Sequence, residues 1–330
     1  MTAPDPPRGQ ARPRHGDAIR DGATARTDTA TAAFEAHRPR LLRIAYRMLG
    51  SRSEAEDIVQ DAWLRWVAAD RADVASPDRF LARIVTRLWL DQIKSARARR
   101  ESYVGPWLPE PLIESETDVV DEDDLTLTLM LALERLSPLE RAAFLLHDVF
   151  GLPLGEVAET LEREAAAVRQ LAVRARRNVR SARPRYPVTR DEGERVARAF
   201  FEASASGDVA RLRTLLADRA SLSSDGGGKV PAFVNPIRGL ERLLRLYAGV
   251  RRKGGDGRAA LVAFAWVDGL PGYVSRERGG LLQTTALAIE NGRIDAIYIT
   301  RNPDKLRHVA RAVAARPGRT AGDGTGAGPS

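Results

Sequence analysis

The hydrophobic pattern of this chain changes period once. Up to about Arg183 apolar residues recur at three- and four-residue spacing, whereas beyond a break at Pro184 and Pro187 helices give way to β-type runs. Such a chain cannot be one repeated architecture. Its 330 residues hold two or three domains at roughly 100–200 residues each, and the change of period predicts all-helical domains followed by an α+β domain.

The first helical block runs from about Ala33. Leu41, Ile44, Ala45 and Met48 keep the helical period; Gly50-Ser51 punctuates, and Val59, Trp63, Trp66 and Val67 repeat it. After the loop Asp70 to Asp78, Leu81, Ile84, Val85 and Leu88 continue the same spacing in a third helix, which completes a short-looped bundle. Trp63, Trp66 and Trp89 sit on apolar faces, which assigns them to the core. From Glu110 to Asp124 there are eight acidic residues and no basic one, the composition of a solvated linker. A second block follows. Ser137, Pro138 and Glu140 supply an N-cap, a first-turn proline and a capping-box acid; after Gly151 a short helix, a tight turn and a longer helix from Ala165 give a helix-turn-helix pattern.

In the third block, helices around Val196 to Ala205 and Val209 to Leu216 precede β-type runs at Leu261 to Val267, Leu281 to Ile289 and Ile294 to Thr300. Asn291-Gly292 between the last two is a hairpin turn. The pattern predicts a curved antiparallel sheet with helices on one side. The boundaries expected are a disordered arm over 1–32, a bundle over 33–102, a linker over 103–124, a helix-turn-helix domain over 125–185, an α+β domain over 190–308 and a tail over 309–330, disordered from about 316.

Several function classes drop out. The chain has no cysteine, and its histidines His15, His37, His147 and His308 lie far apart, so no metal-ligand spacing, disulfide or thiolate chemistry is expected. No apolar stretch is long enough to span a bilayer and the arm lacks the features of a targeting segment, which predicts no membrane partner and a cytoplasmic location.

The charge balance points to a polyanion. The formal net charge is +8, and 48 of the 52 basic residues are arginine, an excess that a G+C-rich genome would also produce. Clustering therefore decides the question. From Arg163 to Arg185 eight arginines face the single acid Glu164; a charge run usually means a solvated helix face, but the helix and turn in front of this one argue for DNA contact. Arg169, Gln170 and Arg174 fall where base edges are read, and Arg177 and Arg180 where phosphates are met. A second basic face holds Arg83, Arg87 and Lys94.

The runs AEDIVQDAWLRW (Ala55 to Trp66), RFLARIVTRLWLDQIKSARARR (Arg79 to Arg100) and LSPLERAAFLLHDVFGLPLGEVAETL (Leu136 to Leu161) resemble extracytoplasmic-function sigma factors. The resemblance implies that Asp57, Gln60, Asp61 and Arg65 form a surface for the polymerase clamp helices. It assigns the loop Asp70 to Asp78 and the helix after it to the melted minus-ten strand, and the helix-turn-helix to the minus-thirty-five element. From the residues alone, Asp57, Gln60 and Asp61 are an ordinary polar helix face. Three positions depart from the family: Arg87 stands where many members carry Asn, Glu162 replaces a turn glycine, and Glu164 replaces a Ser or Thr cap. If the turn needs positive φ, Glu162 costs roughly 1 kcal/mol.

YVGPWLPEPL (Tyr103 to Leu112, including Trp107), DGGGK (Asp225, Gly226, Gly227, Gly228, Lys229) and NPDKL (Asn302, Pro303, Asp304, Lys305, Leu306) are similar to strings of the sigma subgroup that carries a fused SnoaL-like domain of the NTF2-like fold. The resemblance implies an α+β cone-shaped domain that regulates the sigma module in cis. Read on their own, the three glycines and Lys229 form either an anion nest or a plain loop tip. The expected partners are core RNA polymerase and promoter DNA, with an unknown small ligand of the SnoaL-like domain left open; no cofactor, metal or catalytic residue is expected. Two other readings stay open, a helix-turn-helix repressor and an enzyme that uses the third domain, where Asp225 or Asp268 would be the acid or base but neither has a legible partner.

Overall fold

The computed structural model describes residues 15–70, 74–101, 103–114, 126–180, 188–254 and 259–315. The arm through residue 14, the acidic run from 115 to 125 and the tail from 316 lie outside the described residues.

Three helices build the first domain: α1 (His15–Leu49), α2 (Arg52–Ala68) and α3 (Pro77–Glu101). The arm expected over residues 1–32 is helical from His15. Tertiary packing explains the difference: Ala30 and Phe34 are buried, Phe34 meets the Trp63 ring edge-on at 5.1 Å, and the Trp66 indole donates to the Ala30 carbonyl at 2.9 Å. Gly50, at φ 67°, ends α1. Ser51 then caps α2 by accepting from the Glu54 amide.

The second domain comprises α4 (Leu127–Leu133), α5 (Pro138–Phe144) with a π turn over Leu145–Val149, α6 (Leu154–Leu161) and α7 (Ala165–Arg180). Ser137 and Glu140 form the expected capping box. Glu162 closes α6 in a left-handed conformation, φ 53° and ψ 49°, so a residue with a Cβ stands where glycine is unstrained.

The third domain comprises α8 (Arg190–Ser206), α9 (Val209–Leu215), β1 (Leu216–Asp225), β2 (Ile237–Arg238), α10 (Leu240–Gly254), β3 (Ala260–Val267), β4 (Leu270–Arg276), β5 (Leu282–Glu290), β6 (Arg293–Thr300) and α11 (Arg307–Ala315). The strands form one sheet in the order β2-β1-β6-β5-β4-β3. It is mixed, because β1 runs parallel to β6; the antiparallel expectation fails there since a strand arriving from α9 enters the sheet beside the last strand. Phe200, Leu212, Leu222, Leu243, Leu287 and Ile297 pack the core between the helices and the sheet.

The two helical domains, which the sequence divides by a linker, share one core. The cluster that holds Leu41, Ile58 and Leu81 of the bundle continues through Leu133, Phe144 and Leu145 into Val168 of α7. Arg141, 3% exposed, is clamped in that seam: it donates to the Leu133 carbonyl at 3.0 Å and to the Met48 carbonyl at 2.9 Å, and pairs with Glu134 at 2.8 Å. Its charge also suits the C-terminal end of α1, where carbonyls lack helix partners.

Candidate DNA and polymerase faces and the interdomain junction

Helix α7 buries Val168, Leu171, Ala172, Ala175 and Val179 and leaves Arg169, Gln170 and Arg177 exposed. The 3.6-residue period produces this split, since the apolar residues of an otherwise arginine-rich segment lie along one stripe. Arg174 is 53% exposed yet pairs at 3.0 Å with Glu140, and Arg176 pairs with Asp148 at 2.5 Å. Burial opposes ionisation of the Glu140 carboxyl, but its bonds to Ser137 and Arg174 outweigh that and hold it below its ordinary value. The capping acid of α5 thus also anchors α7. Val173, 55% exposed, shares the arginine face and escaped the sequence reading, because an exposed valine has no signal of its own. The side chains of Lys94 and Arg180 lie outside the described residues.

On α2, Asp57, Gln60, Asp61 and Arg65 are all exposed, with Leu64 beside them 61% exposed. On α3 the arginines are engaged. Arg79 meets Glu156 at 2.5 Å, Arg83 meets Glu159 at 3.0 Å and Arg87 meets Glu162 at 3.1 Å. The basic face of the bundle therefore lies against α6 and the turn that follows it. Trp66 and Trp89 are buried as the pattern predicts, and the Trp89 indole donates to the Met48 carbonyl at 3.1 Å.

The strings of the third domain converge on residues 103–114. Asp225, fully buried, accepts from the Tyr103 hydroxyl at 2.5 Å, the Leu108 amide at 2.9 Å, the Gly227 amide at 3.0 Å and the Lys305 ammonium at 2.8 Å. Lys305 also donates to the Leu108 carbonyl at 2.5 Å and lies over the rings of Tyr103, at 4.8 Å, and Trp107, at 4.3 Å. Such a pair withstands burial because every charged atom has a partner and the cation rests on two aromatic faces. Asn302 donates to the Tyr103 hydroxyl at 2.8 Å. Burial and the Asp225 charge raise the Tyr103 pKa.

This arrangement corrects the anion-nest reading of Gly226 to Gly228. The Gly227 amide is turned toward the chain's own carboxylate at Asp225, and Lys229 pairs with Asp304. A Cβ on Gly227 would stand 2.2 Å from the Asn302 amide nitrogen, which is why the loop has no side chain there. Pro303 is exposed beside the buried Asn302.

Residues 103–114 are strapped to both neighbouring domains. Trp107 lies over Gly50, where a Cβ would be 2.4 Å from the ring. Glu110 accepts from the Ser51 hydroxyl at 2.7 Å and the Arg52 amide at 3.0 Å, so it serves the N-terminus of α2. Ile113 bridges Val267 on the edge of the sheet, and Glu114 accepts from the Gly269 amide at 2.9 Å and pairs with Arg190 at 3.1 Å. Asp268, in the β3–β4 turn, accepts from the Tyr46 hydroxyl at 2.8 Å and the Leu112 amide at 3.1 Å. Its other carboxyl oxygen is buried without a partner, and burial, opposed only in part by those bonds, raises its pKa to about 7.

Two family models match the chain, Sigma-70 region 2 over residues 33–99 and Sigma-70, region 4 over residues 126–179. A bundle and a helix-turn-helix with these matches define a sigma factor. The ECF RNA polymerase sigma factor SigJ of Mycobacterium tuberculosis (strain ATCC 25618 / H37Rv) is 39% identical over 290 residues, 83% of this chain and 92% of that protein. The probable ECF RNA polymerase sigma factor SigI of the same strain is 34% identical over 285 residues, 84% of this chain and 95% of that protein. The crystal structure of Mycobacterium tuberculosis SigJ superposes with a TM-score of 0.68 at 34% identity, covering 84% of this chain and 98% of that one. This chain belongs to the extracytoplasmic-function RNA polymerase sigma factors: it is an alternative sigma factor that directs transcription initiation, with two helical sigma domains followed by an α+β domain. Core RNA polymerase and promoter DNA are the partners of that class.

Proposed function

We propose that the third domain regulates the sigma module in cis, by holding residues 103–114 and through them the two DNA-binding domains. The observation that carries this reading is the buried Asp225–Lys305 pair, whose hydrogen bonds run to Tyr103 and Leu108 of the connecting segment. DGGGK and NPDKL meet there, so the strings that mark the subgroup belong to one junction. In this reading Asp57, Gln60, Asp61 and Arg65 dock on the clamp helices of core polymerase, and Arg83, Arg87 and Lys94 face the melted minus-ten strand. Arg169, Gln170 and Arg174 read the minus-thirty-five bases while Arg177 and Arg180 meet phosphates. The location is cytoplasmic.

The third domain performs no turnover. Its two best acid–base candidates are taken up at the junctions: Asp225 is saturated by four donors, and Asp268 is buried against Tyr46 and Leu112. A general base must reach a substrate proton, and both carboxyls are buried away from one.

Charge reversal at both Asp57 and Asp61 tests the docking assignment. The variant Asp57→Lys/Asp61→Lys should fail to co-purify with core polymerase at physiological salt. Unchanged co-purification would remove α2 as the docking face.

A further inference from the structure

The two departures from the family pattern that stand 75 residues apart meet in space: the Arg87 guanidinium donates to the Glu162 carboxylate at 3.1 Å. They end a row. Arg79, Arg83 and Arg87 follow one another at four-residue steps along a single side of α3, and Glu156, Glu159 and Glu162 face them one to one from α6 and its C-cap. Glu162 keeps this position from a left-handed backbone, a conformation in which glycine would be unstrained and would carry no carboxylate. Half-exposed pairs of this kind add little to stability. Their consequence is occupancy, because a guanidinium bonded to a carboxylate is not available to a phosphate.

We infer that Glu156, Glu159 and Glu162 form an acidic row that occupies the DNA-facing arginines of the bundle in the free chain, so that promoter DNA and the helix-turn-helix domain compete for the same three guanidinium groups. The inference rests on the reading that α3 faces the melted strand. The shared core around Arg141 keeps the two domains apposed, and the acidic row makes the covered face complementary in charge. DNA binding then requires α6, and the acidic row with it, to leave α3.

The test uses the full chain and a fluorescein-labelled 20-nucleotide oligothymidylate, with binding followed by anisotropy between 50 and 200 mM salt. Glu156→Gln/Glu159→Gln/Glu162→Gln should bind about tenfold more tightly than the parent at the lowest salt. Its log–log salt slope should steepen by about 2, the value for three more phosphates on a single strand. A variant of equal net charge, Glu194→Gln/Glu202→Gln/Asp218→Asn, should stay within about twofold of the parent. The single change Glu162→Gly relieves backbone strain and so keeps the fold accessible; it should give a gain of about twofold.

Replacing Arg79, Arg83 and Arg87 by Ala in each background should erase those gains. The inference is overturned if the acidic-row variants bind like the equal-charge control, or if their gain survives loss of the arginines. Arginine replacement that weakens binding equally in every background would leave the DNA-facing reading intact and remove only the competition. Replacement without effect in any background would remove both.

Discussion

Asp225 and Asp268 are both buried carboxyls, yet their surroundings give them opposite characters. Asp225 has a cation and three further donors; removing its charge strands Lys305 in an 8% exposed position. Asp225→Asn should therefore lower unfolding free energy by about 3 kcal/mol, the usual cost of breaking a buried pair from one side, as measured by urea denaturation. Asp268 has no cation against it, and Glu114 nearby adds to the effect of burial, so its pKa rises from 3.8 to about 7. The folded state thus prefers the protonated carboxyl. That preference stabilises fully below about pH 3.8 and is lost as pH rises through 7. The protein should melt at lower temperature at pH 8 than at pH 6, and Asp268→Asn should flatten that dependence and raise the melting temperature at pH 8. An unchanged pH profile in the variant would contradict this account of Asp268.

At the scale of elements, local signals were legible wherever the chain needs only its own neighbours. The cap Ser137, the spacing of Val168, Leu171 and Ala175, and the Asn291-Gly292 turn, with both residues at positive φ, each specify their element within a few residues. Strands β1 and β4 were missed for a different reason. Asp218 and Arg219 interrupt any alternation in β1, whose register comes from parallel pairing with β6, and Pro271 and Gly272 lie inside the buried β4, where both types read as breakers. Two predictions belong here. Ser137→Ala should cost about 1 kcal/mol through loss of the α5 cap, seen as a lower denaturation midpoint. Arg169→Ala should cost roughly 1–3 kcal/mol of holoenzyme binding and relax preference at one upstream base pair, read from selection on a randomised upstream element; a uniform loss at all positions would mean that α7 meets only phosphates at this residue.

For the whole molecule, the sequence marks the parts of the junction without showing their pairing. Tyr103 and Asn302 are 199 residues apart, and no periodicity links DGGGK to YVGPWLPEPL; only the closed fold brings a carboxylate, an ammonium and two aromatic rings together. At the start of the acidic run the composition misled for the same reason; its residues from 115 onward lie outside the described residues. Glu110 and Glu114 look solvated in composition, yet each satisfies backbone amides of another domain, and this ties the segment between them. An interface that holds a few kcal/mol is enough to shift a two-state arrangement strongly, so a domain fused behind the helix-turn-helix can set whether the two DNA faces open together.

Run-off transcription with purified core polymerase, from a promoter selected by the full-length holoenzyme, tests this most directly. The full chain, a chain ended after Arg190 and Asp225→Asn are compared at matched concentration. Control through the Asp225 junction predicts that truncation and substitution both change transcript yield, and in the same direction. Equal yield from the truncated and full-length proteins would contradict it.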